Sequence, residues 1–356
     1  MSPARVVVAM SGGVDSAVAA ARCVAAGHDV IGISLRLARD GSGSCCSLDD
    51  FHDARAVADR LGFPHYVFDL RAEFEQHVVR PFVAEYVAGR TPNPCARCNE
   101  HVKFGVLRRR ADELGAAFLA TGHYARIATD AETGRPTLCV ARDAAKDQTY
   151  FLFALRTDDL ARTLFPVGDM TKDEVRAEAA RCGLPVADKP ESMEVCFVPD
   201  GDAGGFVARH AEPAALRPGR IVDAAGRNVG RHDGVHRFTV GQRRGLGLGG
   251  GPRRYVRTLD AATATVTVSD AAGLAARGLV ARDVSWVAGA PPASGSALAV
   301  RIRHRHPAIP ARLAAAGDGA VGVVFDAPGP AVTPGQAAVF QRGETVLGGG
   351  WIVEGT

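Results

Sequence analysis

Residues 5–27, RVVVAMSGGVDSAVAAARCVAAG, decide the fold. RVVVAM is a short apolar, β-branched run of the kind that fills a buried strand, and the alanine-rich AVAAARCVAAG reads as a helix ended by Gly27. Between them lies SGGVDS. Gly12 and Gly13 have no Cβ, so the backbone can turn sharply and a ligand can approach it closely. The helix start directs free N–H groups and a partial positive charge at an anion such as phosphate, and Ser11 and Ser16 add hydroxyl donors. The Gly-Lys-[Ser/Thr] ending of a Walker loop is absent, and so is the spaced Gly-x-Gly-x-x-Gly of dinucleotide binders. The bland alternative is a tight strand-to-helix turn that binds nothing.

The same alternation continues along the chain. DVIGISL is a second strand, LDDFHDARAVADRLG a helix capped by Ser47, PHYVFDL a third strand, and NEHVKFGVLRRRADELG a helix leading into the strand AFLATGH. Strands alternating with helices imply an α/β unit with a parallel sheet covered on both faces. In TKDEVRAEAARCG, Thr171 and Glu174 fit a capping box and Gly183 ends the helix. Near residue 205 glycine becomes dense and short alternating strands such as TATVTVS take over, while GLGLGG precedes no helix and reads as a loop. After APPASGS, a linker at 290–296, four more strand-like runs suggest a small barrel or sandwich. The expected units are 1–205, 206–280 and 281–356.

The chain has 356 residues, enough for two or three domains. It is 47% hydrophobic and 23% charged, with no apolar run near the ~18 residues of a membrane span. No membrane association is expected, and MSPARVVVAM enters a strand without a signal-peptide pattern, which points to the cytoplasm. A formal net charge of +3 identifies no partner. Local arginine clusters (108–110, 243–244, 253–254) and RIRHRHP at 301–307 could track a phosphate backbone, or could be ordinary solvated surface. Strand alternation through RIRHRHP would put Arg301, Arg303 and Arg305 on one face; a charge-protected edge strand would look the same.

Eight cysteines in a chain expected to stay reduced argue against a disulfide framework. Cys23, Cys139 and Cys182 sit on apolar faces and read as core. Cys45 and Cys46 have no evident role. The pair Cys95 and Cys98, in TPNPCARCNE, is open to four readings: half a zinc site, a redox pair, part of an iron–sulfur site, or accident. No second Cys-x-x-Cys exists to complete a zinc site. Cys196, in SMEVCFVPDGD, is the remaining reactive candidate, in a segment that reads as a loop near the carboxyl edge of the sheet.

SGGVDS resembles the PP-loop of ATP pyrophosphatases, which cleave ATP to AMP and pyrophosphate. Together with CCSLDDFHDARAVADRLG, TPNPCARCNEHVKF, TGHYAR, AKDQTYFLF, SMEVCFVPDGD, GQRRGLGL and GQAAVFQRGETVLGGGWI, in that order, it resembles the bacterial tRNA-specific 2-thiouridylases (MnmA/TrmU family), over residues 5 to beyond 350. The resemblance implies a Rossmann-like PP-loop domain (adenine nucleotide alpha hydrolase-like), a small central domain and a C-terminal β-barrel that binds tRNA. It implies ATP- and Mg²⁺-dependent replacement of the C2 oxygen of a wobble uridine by sulfur in tRNAs of the Lys, Glu and Gln type. Cys196 would carry a persulfide, Cys98 would attack it or assist release, and Asp15 would hold Mg²⁺.

By the same resemblance ATP is met by Ala9, Met10, Ser11, Gly12, Gly13, Val14, Asp15 and Ser16, with Leu35 lining the adenine pocket and Gly122 close by. Asn93, Pro94 and Cys95 would bracket the target base; His123, Lys146, Asp147, Gln148, Arg303, His304 and Gln336 would meet tRNA. Family members often have Asn-Pro-Asp before the first catalytic cysteine, whereas Cys95 stands here, and Arg-Tyr where Arg303-His304 stands. A third thiol makes a [4Fe–4S] cluster on Cys95, Cys98 and Cys196 the alternative to the persulfide relay. The expected partners are tRNA and a sulfur donor, a cysteine desulfurase or a sulfur-relay protein, and the expected state is a monomer. Two rival readings are another PP-loop ligase or amidotransferase and a non-catalytic RNA-binding protein with a metal knuckle. A wobble base must be held out of the stack, with backbone phosphates supplying the affinity. tRNA binding, measured by filter retention, is therefore expected to weaken steeply between about 50 and 200 mM salt; salt-independent binding would count against the tRNA-facing surface.

Overall fold

The computed structural model describes residues 3–37, 47–131, 133–190, 195–198, 200–249, 252–315 and 319–356. Cys45 and Cys46 lie outside the described residues. The first sheet is built from β1 (Arg5–Ala9), β2 (Asp29–Arg36), β3 (His65–Asp69) and β4 (Phe118–Thr121). After β5 (Arg126–Thr129) and β6 (Pro136–Cys139), a hairpin outside that sheet, β7 (Thr163–Leu164) completes it in the order β3-β2-β1-β4-β7. All its pairings are parallel. The alternation of strand side chains divides the core: Val7, Ile33 and Leu119 face one apolar cluster, Val6, Val8 and Ala120 the other. Both faces are therefore covered, as the uninterrupted Val6-Val7-Val8 run requires.

Helix α1 (Val14–Ala25) follows β1, and α2 (Leu48–Leu61) follows β2. Ser47 caps α2 through its hydroxyl, which accepts from the Asp50 N–H at 3.1 Å, while the Asp50 carboxylate accepts from the Ser47 N–H at 3.0 Å. Gly62, at φ +77°, ends the helix. The helix Lys172–Arg181 starts with the Thr171–Glu174 capping box. Cys23 and Cys139 are buried and Cys182 half-buried. Burial pushes the Cys23 thiol up to about 12 despite Arg22 nearby, so it is an inert core group at neutral pH.

The central unit is a four-stranded sheet of β8 (Gly219–Val222), β9 (Asn228–His232), β10 (Tyr255–Asp260) and β11 (Thr265–Ser269), ordered β10-β11-β8-β9. The last unit contains β12 (Ala276–Trp286), β13 (Ala297–Arg301), β14 (Ile309–Ala315), β15 (Val321–Gly329), β16 (Ala337–Arg342) and β17 (Thr345–Gly355). Their order β12-β15-β14-β13-β16-β17, with β12 also paired to β17, closes a six-stranded barrel. Its first strand runs from Ala276 to Trp286, across the expected boundary at 280/281.

Two features depart from the expected layout. The β5–β6 hairpin of the first unit adds to the barrel, with Leu138 opposite Val346 and Cys139 opposite Thr345. And β13 stops at Arg301, with bends and turns over 302–306, so Arg301, Arg303 and Arg305 do not share a strand face. Arg301 instead turns into the junction between units. Its Nη2 donates to the Asp147 carboxylate at 2.7 Å and to Thr149 Oγ1 at 2.6 Å, and the Asp147 and Arg301 side chains are only 4% and 12% exposed.

Asp147→Ala leaves a buried guanidinium without its carboxylate, and a loss of about 3–5 kcal/mol is expected in urea unfolding. Asp147→Ala with Arg301→Met should recover most of it; full stability of the single variant would contradict the strut.

Candidate active site

The phosphate-type loop sits where strand order reverses. β1 has β2 on one side and β4 on the other, and the crevice past the carboxyl ends of such neighbouring strands is where α/β sheets bind ligands. The loop after β1 and the turn after β4 meet there without room for a side chain. A Cβ on Gly122 would lie 2.6 Å from both the Asp15 carbonyl carbon and the Ser16 nitrogen. Gly12, at φ +72°, has the same constraint from another side, since a Cβ there would come within 2.5 Å of the Asp50 carbonyl oxygen at the start of α2. Glycine is thus required at both positions.

Gly13 caps α1 with extended backbone and no side-chain hydrogen bond, which leaves the first-turn N–H groups aimed into the crevice. Ser16 braces the loop, its hydroxyl donating to the Gly13 carbonyl at 2.9 Å and accepting from the Ser11 N–H at 3.2 Å. Asp15 Oδ1 accepts from Lys172 Nζ at 2.7 Å and from Tyr124 Oη at 2.8 Å. Tyr124 lies in TGHYAR and Lys172 in the helix after Thr171, and neither has a site role in the sequence reading.

Two cavities open from the loop. The smaller, about 230 Å³, is walled by Ala9, Met10, Ile33 and Leu35 on its apolar side and by Ser11, Asp15, Ser16 and Gly122 on its polar side. Leu35 is both core and wall, 9% exposed at the end of β2. The larger, about 370 Å³, runs from Ser11, Gly13, Val14 and Asp15 to Cys95, Cys98 and Cys196. Lys103, His123 and Gln148 line both.

The thiols reach that cavity from two segments. Pro94–Arg97 is a single helical turn with proline at its first position, capped by Asn93, whose Oδ1 accepts from the Ala96 N–H at 3.1 Å. Cys95 lies exposed on this turn; Cys98, 8% exposed, opens the π-helical run Cys98–Leu107. Cys196 is half-buried and lines the same cavity, with Val195 and Phe197.

The three thiols share a cavity, but among the described residues no group of three or more His, Cys, Asp or Glu side chains could hold a metal ion. Cys95 is exposed on its turn, Cys98 is buried and Cys196 lies between these extremes.

The expected tRNA-facing residues divide. Pro94, Cys95, His123, Lys146 and Gln148 line the larger cavity. His123 bonds Thr121 Oγ1 through Nδ1 at 2.8 Å, and burial, with Lys103 adding to it, holds its pKa well below the usual range, so it is neutral near pH 7. Gln148 is oriented by the Tyr124 N–H at 3.0 Å. The others make bonds within the protein. Asp147 is taken by Arg301, Thr149 and the Ala141 N–H. Arg303 donates to the Ala331 carbonyl and to Thr333, and Gln336 Nε2 donates to the carbonyls of Thr91 and Pro92, just ahead of the cysteine turn. The His304 ring packs 4.5 Å from Phe151, which lines the cavity.

One sequence signal for the missed residues exists. The chain has 42 lysines and arginines, yet only Lys103, Lys146, Lys172 and Lys189 are lysines, and all four line the larger cavity.

Comparison with known proteins agrees with this architecture. Residues 4–200 match the family described as tRNA methyl transferase HUP domain, 204–270 the corresponding PRC-barrel domain, and 276–352 the aminomethyltransferase beta-barrel domain. A tRNA-specific 2-thiouridylase MnmA of Solibacter usitatus is 49% identical, with 98% of each chain covered. Proteins of the same name from Geotalea uraniireducens and Sorangium cellulosum are 50% and 51% identical, covering 98% and 99% of this chain and 94% and 92% of theirs. With matches of this identity along nearly its whole length, the chain belongs to the tRNA-specific 2-thiouridylase family.

Proposed function

We propose that the chain is an ATP-dependent tRNA sulfurtransferase that replaces the C2 oxygen of a wobble uridine, in tRNAs of the Lys, Glu and Gln type, with sulfur. One observation carries the reading: the loop that suits ATP and the two thiols that suit sulfur transfer line the same 370 Å³ cavity. A ligase or amidotransferase has the same use for the loop and none for Cys98 and Cys196 on the same cavity. A binding protein has no use for Asp15 on the loop.

A uracil carbonyl oxygen is a poor leaving group. It must first attack the α-phosphorus of ATP, expelling pyrophosphate toward the loop and the α1 N-terminus, which stabilise the developing negative charge. Adenine then sits against Ala9, Met10 and Leu35. Asp15, 32% exposed and lining both cavities, suits Mg²⁺, which would neutralise charge on the pyrophosphate. With the C2 oxygen adenylated, the terminal sulfur of a Cys196 persulfide attacks C2, and AMP leaves with that oxygen. The Cys98 thiolate attacks Cys196 Sγ, breaking the S–S bond to the former terminal sulfur; 2-thiouridine is released and a Cys98–Cys196 disulfide remains, to be reduced by two electrons. His123, held neutral, can accept a hydrogen bond from the base or the ribose.

The relay uses only Cys98 and Cys196, both on the cavity wall, and a [4Fe–4S] cluster on Cys95, Cys98 and Cys196 is its alternative. The barrel and the central sheet would hold the anticodon arm, and a cysteine desulfurase or relay protein would reload Cys196 in the cytoplasm. A monomer suffices, because every group named lies in one chain.

The test is mass-spectrometric detection of 2-thiouridine in unmodified glutamate tRNA given ATP, Mg²⁺, a persulfide donor and iron-free protein. Wild type should make product, C196S none, C98S no more than a stalled enzyme-bound adduct, and C95A product at a reduced rate. A requirement for iron and sulfide, with about four irons per chain lost in C95A, would replace the relay by the cluster.

A further inference from the structure

Lys189 stands beside the loop without belonging to any motif. Its Nζ donates to Asp50 Oδ1 at 2.7 Å and to Asp53 Oδ2, while its own backbone carbonyl accepts from Arg176 on the helix Lys172–Arg181. Asp50 is the residue whose backbone presses on Gly12, so the ammonium lies immediately behind the phosphate-type loop. Lys189 lines the larger cavity and is absent from the walls of the smaller, adenine-side one. Its place is therefore toward the distal phosphates.

The two carboxylates hold this lysine unequally. Asp50 Oδ2 is independently satisfied by the Ser47 N–H and hydroxyl at 3.0 and 2.8 Å, so Asp50 remains hydrogen-bonded without Lys189. Asp53 is 37% exposed and can be hydrated. Turning the ammonium away from Asp53 thus strands no buried group there, and an ion pair this exposed is worth little, while Asp50, its side chain 9% exposed, keeps Oδ1 on the lysine. The Lys189 side chain itself is 28% exposed, which allows it to turn.

Composition adds an independent argument. The chain meets nearly all its need for positive charge with arginine, and its four lysines all line this cavity. An ammonium is a compact point charge on a flexible stem, whereas guanidinium is a planar fork with a larger footprint. A cavity that must take a polyphosphate, its metal ion and a nucleobase together has room for the former.

We infer that Lys189 is a further nucleotide-phosphate ligand, kept at the loop by Asp50 and Asp53 and exchanged onto the pyrophosphate end of ATP when nucleotide enters. This rests on the ATP-dependent reading proposed above. Asp53 then acts as a competitor for the ammonium, and Asp50 as its fixed anchor.

The experiment is calorimetric titration of Mg·ATP, pyrophosphate and AMP into tRNA-free wild type, Lys189→Met and Asp53→Asn, with melting temperatures taken without nucleotide. Losing one charge-assisted hydrogen bond should weaken ATP and pyrophosphate binding to Lys189→Met about 10- to 100-fold and change AMP binding less than about twofold. Asp53→Asn, which removes the competitor, should tighten ATP. ATP binding to Lys189→Met within twofold of wild type, or an equal loss of AMP, would overturn the assignment. So would weaker or unchanged ATP binding in Asp53→Asn, a result that stands even if Lys189→Met fails to fold. Wild type that binds no ATP would instead sink the proposed function itself.

Discussion

The loop after β1 is held by backbone-to-backbone contact at Gly12 and Gly122, and the rest of the site depends on it. At neither position is there space for one methyl group, because the start of α2 lies under Gly12 and the Asp15–Ser16 peptide lies against Gly122. The loop after β1, the turn after β4 and the start of α2 are thereby packed together at the point where strand order reverses. From that packing follow the exposed N–H groups of α1, the orientation of Asp15 toward Lys172 and Tyr124, and the placement of Lys189 behind the loop.

The cysteine side of the cavity depends on a different constraint, the junction with the barrel. Arg301 reaches back to the buried Asp147, which sits between two cavity residues, Lys146 and Gln148. Gln336 holds the backbone of Thr91 and Pro92, and Tyr150 donates to the Ala337 carbonyl at 3.0 Å. The β5–β6 hairpin extends the barrel sheet. Together these contacts fix the height of the Pro94–Arg97 turn, and hence of Cys98, relative to the loop. The barrel thus bears on the position of Cys98, a residue of the first unit.

Much of this was legible in the sequence because it is local. The strand-loop-helix of 5–27, the Ser47 cap and the Thr171–Glu174 box each lie within a few residues, and their chemistry is set by that spacing. What was not legible depends on residues far apart. Asp147 and Arg303 are expected at tRNA by resemblance alone, and the partners they have within the protein, Arg301 for one and Ala331 and Thr333 for the other, are selected only when the barrel closes. The alternating RIRHRHP run ends as a strand at Arg301, since 302–306 turn back toward β14. The lysines were visible all along as a composition, but their convergence needed the fold.

The central claim is that the uridine oxygen is activated by adenylation before sulfur attacks. It is tested most directly by giving the enzyme ATP, a persulfide donor and tRNA whose target uridine carries ¹⁸O at C2, then weighing the products. The account predicts that the label leaves on AMP in step with 2-thiouridine formation. Label in pyrophosphate, in inorganic phosphate or in water with unlabelled AMP would contradict it.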